Sequence, residues 1–493
     1  MTSTDATAHD LGTPLDHRYA RDLPDLCVPW QPSPAPAPRW LRFNHGLATS
    51  LGLDAERLAG DEGLAMFSGQ RVPLGAQPVA QAYAGHQFGG YSPRLGDGRA
   101  LLLGEVIDPR GQRHDVAFKG SGRTPFSRGG DGKAAVGPVL REYLISEAMH
   151  ALGIPTTRTL AAVATGETVR REQGLPGAVM TRTAASHIRV GTFQFAANGG
   201  DIGTLKRLLT HTIDRHDPAL AEAPQPALAL LQAVMQRQAD LVAQWMGVGF
   251  IHGVMNTDNM TLSGETIDYG PCAFMEAHHP DTVFSSIDHH GRYAYGNQPG
   301  IAQWNLARLA EALLPLIDSD SDAAVEQATA LINTYPAMYE RAWLRVFRAK
   351  LGLLDTGDAA GDRQLAQDFL QWMTTHQIDH TLGFVRLTDW LTGDEADASV
   401  SPWLQRWRQR LWQQPGQGAD ATACMQRVNP VVIPRNHRVE AALDAASQQG
   451  DLQPFEALLA AIQAPFDADQ RHRHWAQPAT PAQAAGYQTF CGT

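Results

Sequence analysis

The segment HGVMNTDNMTLSGETIDYG, residues 252–270, contains two side chains that could bind a metal ion together. Two short stretches typical of strands, 260–262 and 266–267, flank residues of turn composition. A hairpin built in this way would bring Asn259 and Asp268 to the same end. An amide oxygen and a carboxylate that meet there suit Mg²⁺, a hard cation usually held by few protein ligands together with substrate phosphates. An ordinary hairpin with polar turn residues is the alternative interpretation.

The same segment lacks the catalytic carboxylate of a protein-kinase loop. Kinases hold Mg²⁺ with the Asn of the motif H-R-D-x-x-x-x-N and with the Asp of Asp-Phe-Gly, and the Asp of the first motif is the catalytic base. Val254 occupies the position of that base here, and a valine can neither accept a proton nor orient a hydroxyl. The nearest carboxylate is Asp258, beside Asn259. The chain is therefore either an inactive kinase or an enzyme that places its nucleotide differently and uses Asp258 as the base.

Composition and charge set the broad class of the protein. A chain of 493 residues is long enough for two lobes, and 43% hydrophobic with 18% charged residues is typical of a globular protein in water. The net charge of −11 argues against general nucleic-acid binding. We find no apolar run long enough for a transmembrane helix and no signal or transit peptide, so we expect no membrane association and a cytoplasmic location.

The elements that must position these side chains change in type along the chain. Strand signals dominate the first half and helical periodicity the second, which predicts an α+β protein with two lobes. We divide the chain into an N-terminal extension (1–78), a strand-rich lobe with nucleotide-binding loops (79–200) and a helical lobe with the metal-binding loop and C-terminal tail (201–493). The predicted strands are 101–107, 115–119, 159–164 and 177–183, and the predicted helices are 136–152, 227–245, 306–317, 323–351, 364–375 and 402–412. The extension ends in the Pro-rich QPSPAPAPRW, which predicts an arm on the surface.

A glycine-rich turn and a strand lysine could bind phosphate. Gly96 and Gly98 permit a tight turn whose backbone N–H groups can approach phosphate oxygens, although such a turn is also common in plain hairpins. Lys119 ends an apolar strand, as does the kinase lysine that holds nucleotide phosphates, and a surface lysine is the alternative. The helix that follows must supply a carboxylate to pair with it. Glu142 lies nearer the buried stripe than Glu147, so Glu142 is the predicted partner.

Arginines and a second glycine-rich stretch extend this phosphate-binding set. GSGRTPFSRGGDGK, residues 120–133, could wrap a polyphosphate from another side or could be a flexible exposed loop. Arg182 and Arg189 complete a candidate anion clamp, because guanidinium groups bind phosphate through two N–H donors and keep their charge when desolvated.

Together these motifs closely resemble the selenoprotein O family of pseudokinase-fold protein adenylyltransferases. The strings that carry the resemblance are YAGHQFGGYSPRLGDGRA, FKGSGRTPFSRGGDGKA, LREYLISEAMHALGIPTTR, GVMNTDNM and DYGPCAFME, in the family's order over residues 80–276. The resemblance implies a protein-kinase-like two-lobed fold, with a strand-rich N-lobe and a helical C-lobe. It also implies transfer of AMP from ATP to Ser, Thr or Tyr hydroxyls of proteins, with ATP bound flipped relative to a kinase.

The resemblance also assigns roles to individual residues. Asp258 would be the catalytic proton acceptor, Asn259 and Asp268 would hold Mg²⁺ or Mn²⁺, and Glu142 would pair with Lys119. The residues expected to line the nucleotide site are Gly96, Gly98, Arg99, Lys119, Asp131, Gly132, Arg182, Arg189 and Asp268. The implied partners are ATP and acceptor proteins, with self-modification in their absence.

Two other functions remain open at this point, a conventional ATP-dependent phosphotransferase and a non-catalytic nucleotide-binding scaffold. Cysteines add a redox hypothesis, because Cys491 is third from the end, where family members carry selenocysteine or cysteine, and a disulfide with Cys272 could lock the metal-binding segment. A buried Cys272 and an inert tail thiol are the alternative. The adjacent histidines at 278–279 and 289–290 are interpreted as structural or surface residues, because neighbouring side chains point apart.

Overall fold

The structure is a computed structural model, and it describes residues 11–354, 357–393, 398–415, 420–470 and 473–490. Its strands form one large antiparallel sheet and two small two-stranded sheets. The order in the large sheet is β1-β3-β6-β7-β10-β9-β2, with β8 paired with β10, and the small sheets are β4–β5 and β11–β12. The strands are β1 (Cys27–Pro29), β2 (Arg39–Phe43), β3 (Val79–Gln81), β4 (Gly85–Gln87), β5 (Gly90–Ser92), β6 (Ala100–Ile107), β7 (Arg113–Lys119), β8 (Ala134–Ala135), β9 (Arg158–Arg170), β10 (Gly174–Ala184), β11 (Phe250–Ile251) and β12 (Ala273–Phe274).

Helices make up most of the described chain after residue 185. The helices are α1 (Arg18–Asp22), α2 (His45–Ser50), α3 (Ala55–Leu58), α4 (Asp61–Phe67), α5 (Val136–Ala151), α6 (Val190–Asn198), α7 (Ile202–His216), α8 (Pro226–Val248), α9 (Gln298–Ile317), α10 (Ser321–Ile332), α11 (Tyr335–Lys350), α12 (Ala359–Thr375), α13 (His380–Thr392), α14 (Ser401–Trp412), α15 (Ala421–Val428), α16 (Asn436–Asp444), α17 (Gln453–Ile462) and α18 (Pro481–Ala484). The mixed α and β composition, with an antiparallel sheet followed by a helical region, confirms that part of the predicted fold class.

The sheet and helix α5 together position the lysine and glutamate predicted to pair. The central strands β6, β7, β9 and β10 contain the four predicted strands, and all of them are buried over most of their length. Helix α5 packs against β9 and β10, and its residues Val139, Leu140, Tyr143 and Leu144 are buried there. The sheet covers one side of the helix, and helices α16 and α17 pack against it as well. Glu142 therefore lies inside the protein and not on an exposed face.

The prediction of a single helix over 323–351 is wrong. Two helices, α10 and α11, occupy this stretch and are separated at Asn333 and Thr334. Pro336 stands in the first turn of α11, where its missing N–H costs nothing, whereas inside a continuous helix it would remove a hydrogen bond and clash with the preceding turn. The other five predicted helices are confirmed, with ends shifted by at most five residues except at the start of α9, which lies at Gln298 and not at residue 306.

The hairpin predicted between residues 260 and 267 is also wrong. Thr261 forms an antiparallel bridge with Arg189, and Thr266 forms a parallel bridge with Thr156. The two flanks of the turn therefore pair with different segments and not with each other. Backbone hydrogen bonds from Leu262 N to Ile188 O and from Thr157 N to Thr266 O hold them, so the turn is stabilised by the surrounding structure.

The N-terminal segment supplies the two edge strands of the large sheet. Strand β2 pairs with β9 at one edge, and β1 pairs with β3 at the other. The Pro-rich stretch between them is mostly exposed and is held by backbone hydrogen bonds from Ser33, Ala35 and Ala37. Division of the chain at residues 78 and 200 stays a prediction. Among the described residues, no helix combines the length and the apolar character that crossing a bilayer requires.

Candidate active site

A cleft of about 1750 Å³ brings the predicted site residues together. Strands β7 and β10 and helix α5 contribute Lys119, Arg182 and Glu142, and the loop after β11 contributes Asp258 and Asp268. The remaining predicted residues also line this cleft, namely Gly96, Gly98, Arg99, Asp131, Gly132, Arg189 and Asn259. The residues thus converge although they are spread over more than 170 positions of the sequence. Their roles stay predictions.

Asp268 is surrounded by three cations. Its Oδ1 lies 2.6 Å from Lys119 Nζ and 2.7 Å from Arg182 Nη1, and its Oδ2 lies 3.0 Å from Arg189 Nη1. Burial acts to raise the pKa of this carboxyl, but Lys119, Arg182 and Arg189 together hold it well below its usual range. The backbone of Asp268 has a φ of +61°, a left-handed conformation that Asp adopts more readily than bulky residues do. Asp268 is therefore a permanently ionised centre of the cleft.

Glu142 is the second carboxylate of this cluster. Its Oε2 lies 2.5 Å from Lys119 Nζ, and its Oε1 lies 3.1 Å from Arg182 Nη1. Glu147, the other candidate on α5, instead accepts two hydrogen bonds from Arg158, at 2.8 and 2.7 Å. The structure thus forms the Lys119–Glu142 pair that the helical stripe predicts.

Asp258 has far less compensation for its charge. It is buried, and among the described residues its Oδ1 has no hydrogen-bond partner, while its Oδ2 accepts a long bond, of 3.4 Å, from the side-chain amide of Gln87. Burial raises the pKa of the Asp258 carboxyl to about 6, although its own backbone N–H, Arg189 and Gln87 partly oppose this. A carboxylate with a pKa near neutrality and an unsatisfied oxygen is suited to accepting a proton.

Arg189 connects the two carboxylate regions. Its Nη1 donates to the backbone carbonyl of Asp258 at 2.8 Å and to Asp268 Oδ2 at 3.0 Å. Its guanidinium also lies over the ring of Tyr83, 4.6 Å from the centroid. The arginine therefore fixes the loop carrying Asp258 relative to Asp268.

Asn259 is oriented by the backbone of Val254. Its Nδ2 donates to the backbone carbonyl of Val254 at 3.0 Å, so the amide oxygen is not used in this contact. The donor set therefore fits Mg²⁺ or Mn²⁺, because Asn259 and Asp268 offer hard oxygen ligands in one cleft and phosphates can complete the coordination. Among the described residues, no group of three or more His, Cys, Asp or Glu side chains is arranged to hold a metal ion.

The glycine-rich turn and the 120–133 insert pack directly on each other. Gly96 has a φ of +70°, and a Cβ there would lie 2.3 Å from the ring of Phe126. Gly132 has a φ of +67°, and its Cβ would lie 2.0 Å from the carbonyl oxygen of Gly122. Thr124 Oγ1 donates to Asp97 O at 2.5 Å. A larger side chain at Gly96 would push the turn away from the insert, and one at Gly132 would disrupt the close contact between the two ends of the insert.

Asp131 and Arg99 are placed at the cleft in different ways. Asp131 accepts hydrogen bonds from Arg171, at 2.9 and 3.2 Å, and the arginine lowers the pKa of the Asp131 carboxyl. Asp131 therefore fixes the insert against the end of β9. Arg99 lines the cleft, and its backbone carbonyl accepts from Gly120 N at 2.7 Å.

Several residues that the sequence did not single out for the site also belong to it. Gln87 reaches Asp258 from the β4–β5 turn, and Arg141 donates to the carbonyls of Gly270 and Cys272, which fixes the loop after Asp268. Thr489 Oγ1 donates to Pro271 O at 2.7 Å, and residues 486–490 line the cleft. The adjacency of Arg141 to Glu142 was the only sequence signal among these contacts.

The cysteine and histidine hypotheses have different outcomes. Cys272 is buried, and burial raises the pKa of its thiol to about 11. Cys491 lies outside the described residues, so the proposed disulfide stays a prediction. His278 is buried with its Nδ1 3.0 Å from His380 Nδ1, which is a structural contact, and His289 and His290 are exposed.

Comparison with known proteins gives one consistent result. Residues 17–463 match the family described as "Protein adenylyltransferase SelO". The chain is 60% identical over 487 residues to "Protein nucleotidyltransferase YdiU" of Cereibacter sphaeroides, covering 97% of this chain and 99% of the relative. Relatives of the same name from Rhizobium etli and Chromobacterium violaceum are 57% identical over 490 residues and 56% identical over 480 residues. These two alignments cover 97% and 96% of this chain, and 97% and 100% of the relatives.

Proposed function

Because the chain belongs to the protein adenylyltransferase SelO family and is therefore an enzyme, a nucleotidyltransferase, we propose that it transfers AMP from ATP to Ser, Thr or Tyr hydroxyls of proteins. Pyrophosphate is the second product. The fold in this proposal is a kinase-like pair of lobes, and ATP binds flipped relative to a kinase, so that the α-phosphorus faces the acceptor. A non-catalytic scaffold is set aside, since the relatives are named as nucleotidyltransferases.

The observation that carries the proposal is the environment of Asp258. An acceptor hydroxyl must lose its proton as its oxygen attacks the α-phosphorus, and a buried carboxylate with one unsatisfied oxygen can take it. The pKa of about 6 leaves Asp258 mostly ionised at neutral pH while keeping it basic enough to accept the proton. The position of the kinase base, Val254, supplies a backbone carbonyl to Asn259 and has no proton-accepting side chain.

The cation cluster supports the second half of the reaction. As the bond from the α-phosphorus to the leaving pyrophosphate breaks, negative charge grows on the bridging oxygen. Lys119, Arg182 and Arg189 line the cleft and are already held in position by Asp268 and Glu142, so they can stabilise this charge without reorganising. Glu142 and Asp268 lie within hydrogen-bond distance of these cations and compensate their charges inside the protein.

Asn259 and Asp268 would hold the divalent ion of this proposal. When bound, Mg²⁺ or Mn²⁺ supplies charge neutralisation of the phosphates and orients them. Asp268 already contacts three cations through two oxygens, and a carboxylate has about four acceptor positions, so a further ligand interaction is available to it.

A conventional phosphotransferase is the second candidate, and one observation favours it. The pair between a strand lysine and a helix glutamate, with an Asn and an Asp in the same cleft, is the arrangement that kinases use for γ-phosphate transfer. The absence of a side-chain base at Val254 argues against that chemistry.

Label position separates the two candidates. The protein is incubated with Mg²⁺ or Mn²⁺ and ATP labelled on either the α- or the γ-phosphorus, alone and with a protein extract. The proposal predicts retention of the α label, an AMP-sized mass increase, and release of pyrophosphate. Retention of the γ label alone would contradict it. Self-modification provides the first readout, because Tyr487 and Thr489 carry hydroxyls on residues that line the cleft.

A further inference from the structure

We propose that His187 is a positioning residue that holds the guanidinium of Arg182 in the orientation needed to bind the phosphates of ATP, an inference that rests on the proposed function. His187 lies between β10 and α6 and is almost completely buried. Its ring lies between the guanidinium of Arg182, which lines the cleft, and the carboxylate of Asp115 on strand β7. Its Nε2 is 3.2 Å from Arg182 Nε, and its Nδ1 is 2.9 Å from Asp115 Oδ2.

These two contacts fix the position of the ring proton. The Nε of an arginine can only donate a hydrogen bond, so His187 Nε2 must accept. The proton of the neutral ring is then on Nδ1, from which it is donated to Asp115. A carboxylate that fixes the tautomer and orientation of a histidine is a recurrent way of positioning a functional group held by that histidine.

Two of the three nitrogens of the Arg182 guanidinium form hydrogen bonds with protein side chains. Its Nε donates to His187, and its Nη1 donates to Asp268 at 2.7 Å and to Glu142 at 3.1 Å. Its Nη2 forms no hydrogen bond with any residue in the described part of the chain, and Arg182 lines the cleft. The N–H groups of Nη2 are therefore available to a phosphate, provided that the other two nitrogens keep the plane of the guanidinium fixed.

The support behind His187 is rigid and continues away from the cleft. Asp115 also accepts from the backbone N–H of His187 at 2.8 Å and from Arg215 Nη2 at 2.7 Å. Arg215 Nη1 donates in turn to Glu105 Oε2 at 2.7 Å. Burial acts to raise the pKa of Asp115, but Arg215 and His187 hold it below its usual range, so Asp115 remains an ionised acceptor.

The charged surroundings also keep His187 neutral. Burial lowers the pKa of His187, and Arg182 and Arg189 lower it further, whereas Asp115 opposes them. Asp97, from the glycine-rich turn, is the other carboxyl that interacts with this ring. A protonated His187 would direct a second N–H toward Arg182 Nε, which is itself a donor, and would break the contact.

The experiment compares two replacements at His187 with a matched histidine elsewhere. His187→Leu removes both hydrogen bonds, whereas His187→Gln retains one acceptor and one donor. His211 serves as the control, because it is equally buried and its Nδ1 lies 3.0 Å from Asp22 Oδ2, but its contacts are with Asp22 and Tyr19, which do not line the cleft. The affinity for ATP with Mg²⁺ is measured by calorimetry and thermal stability by melting.

We expect His187→Leu to weaken ATP binding about tenfold, the effect of losing a hydrogen bond to a charged group. His187→Gln should weaken it less, and His211→Leu should bind ATP as the unaltered protein does, even if its melting temperature falls. A folded His187→Leu variant with unchanged ATP affinity would overturn the proposal. So would unfolding of both His187 variants while His211→Leu folds, since His187 would then be purely structural.

A second measurement needs no loss of function. Nuclear magnetic resonance of the protein labelled with ¹⁵N-histidine reports the tautomer of each ring, and the His187 resonance should show the proton on Nδ1 at neutral pH. A proton on Nε2, or a charged ring, would contradict the proposal. Both measurements use ATP binding or the free protein, without an acceptor. Failure here would therefore leave AMP transfer standing, and a failure of AMP transfer in the labelling experiment would leave the geometry of His187 standing.

Discussion

The two carboxylate regions of the cleft differ in how their charge is compensated. Asp268 contacts Lys119, Arg182 and Arg189, and its pKa is held well below the usual range. Asp258 has one long hydrogen bond from Gln87 and a pKa of about 6. The environments of two similar side chains therefore assign them different tasks. The region of Asp268 stays charged and organises cations, which in the proposed function bind phosphates, whereas the region of Asp258 can exchange a proton.

The largest expected effect is on catalysis at Asp258. Asp258→Asn keeps the size of the side chain but cannot accept a proton, so we expect AMP transfer to fall by about 10²–10⁴-fold, the typical contribution of a positioned base. The measurement is the rate of adduct formation from α-labelled ATP. Melting and circular dichroism control for folding, and transfer at the unaltered rate by this variant would show that the two carboxylates do not differ in the way described.

The melting temperature should change in opposite directions when Asp258 and Asp268 are each replaced by Asn. Raising the pKa of Asp258 from 3.8 to about 6 means that its contribution to stability is greatest below the unfolded pKa and is lost as the pH rises through about 6. The ionised form at neutral pH then costs on the order of 3 kcal/mol. Asp258→Asn should therefore raise the melting temperature at pH 7.5, whereas Asp268→Asn should lower it, because three cations lose their partner. Equal changes of melting temperature with the same sign in both variants would contradict the proposed difference between Asp258 and Asp268.

The pH dependence of AMP transfer should also distinguish Asp258 from Asp268. If Asp258 must be ionised to accept the proton, kcat/KM for transfer should fall about tenfold for each pH unit below 6 and reach a plateau above it. Asp268 should not contribute an inflection in this range, because it remains ionised. The residual activity of Asp258→Asn is the control and should lack the inflection. A profile that is flat between pH 5 and pH 7 in the unaltered enzyme would argue against Asp258 as the base.

The smallest expected effect concerns Glu142, which shares cations with Asp268. Glu142→Gln removes the negative charge that pairs with Lys119 and Arg182. The affinity for ATP should therefore fall about tenfold or less. Glu147→Gln is the matched control, because Glu147 lies on the same helix and pairs with Arg158 away from this cluster. It should change stability but not ATP binding. Similar losses of affinity in both variants would point to a general disturbance of α5.

The sequence was sufficient for the parts of this site that depend on local periodicity. The apolar stripe of α5 distinguishes Glu142 from Glu147, and the apolar strand before Lys119 places that lysine at a strand end. Family resemblance added the residues predicted to bind the nucleotide, all of which line one cleft. Five of the six predicted helices also follow from the helical pattern, although the start of α9 differs from the prediction by eight residues.

Contacts between distant segments could not be predicted in the same way. The turn after Asn259 has the composition of a hairpin, but its flanks bridge to Thr156 and Arg189, so pairing with other segments outweighed the local pattern. Gln87 and Asp258 are 171 residues apart, and His187 and Asp115 are 72 residues apart. Their roles depend on burial and on the direction of a hydrogen bond, which appear only when the chain is folded.

The comparison between Asp258 and Asp268 is tested most directly by titrating ATP, in the presence of Mg²⁺, into the Asn variant at each position. We predict that Asp258→Asn binds ATP with the affinity of the unaltered protein, because the proposed role of that carboxylate is to accept the proton of the acceptor hydroxyl. Asp268→Asn should bind at least about tenfold more weakly, because it loses the carboxylate that orders the cations and is the proposed metal ligand. Loss of affinity in both variants, or in neither, would contradict the account.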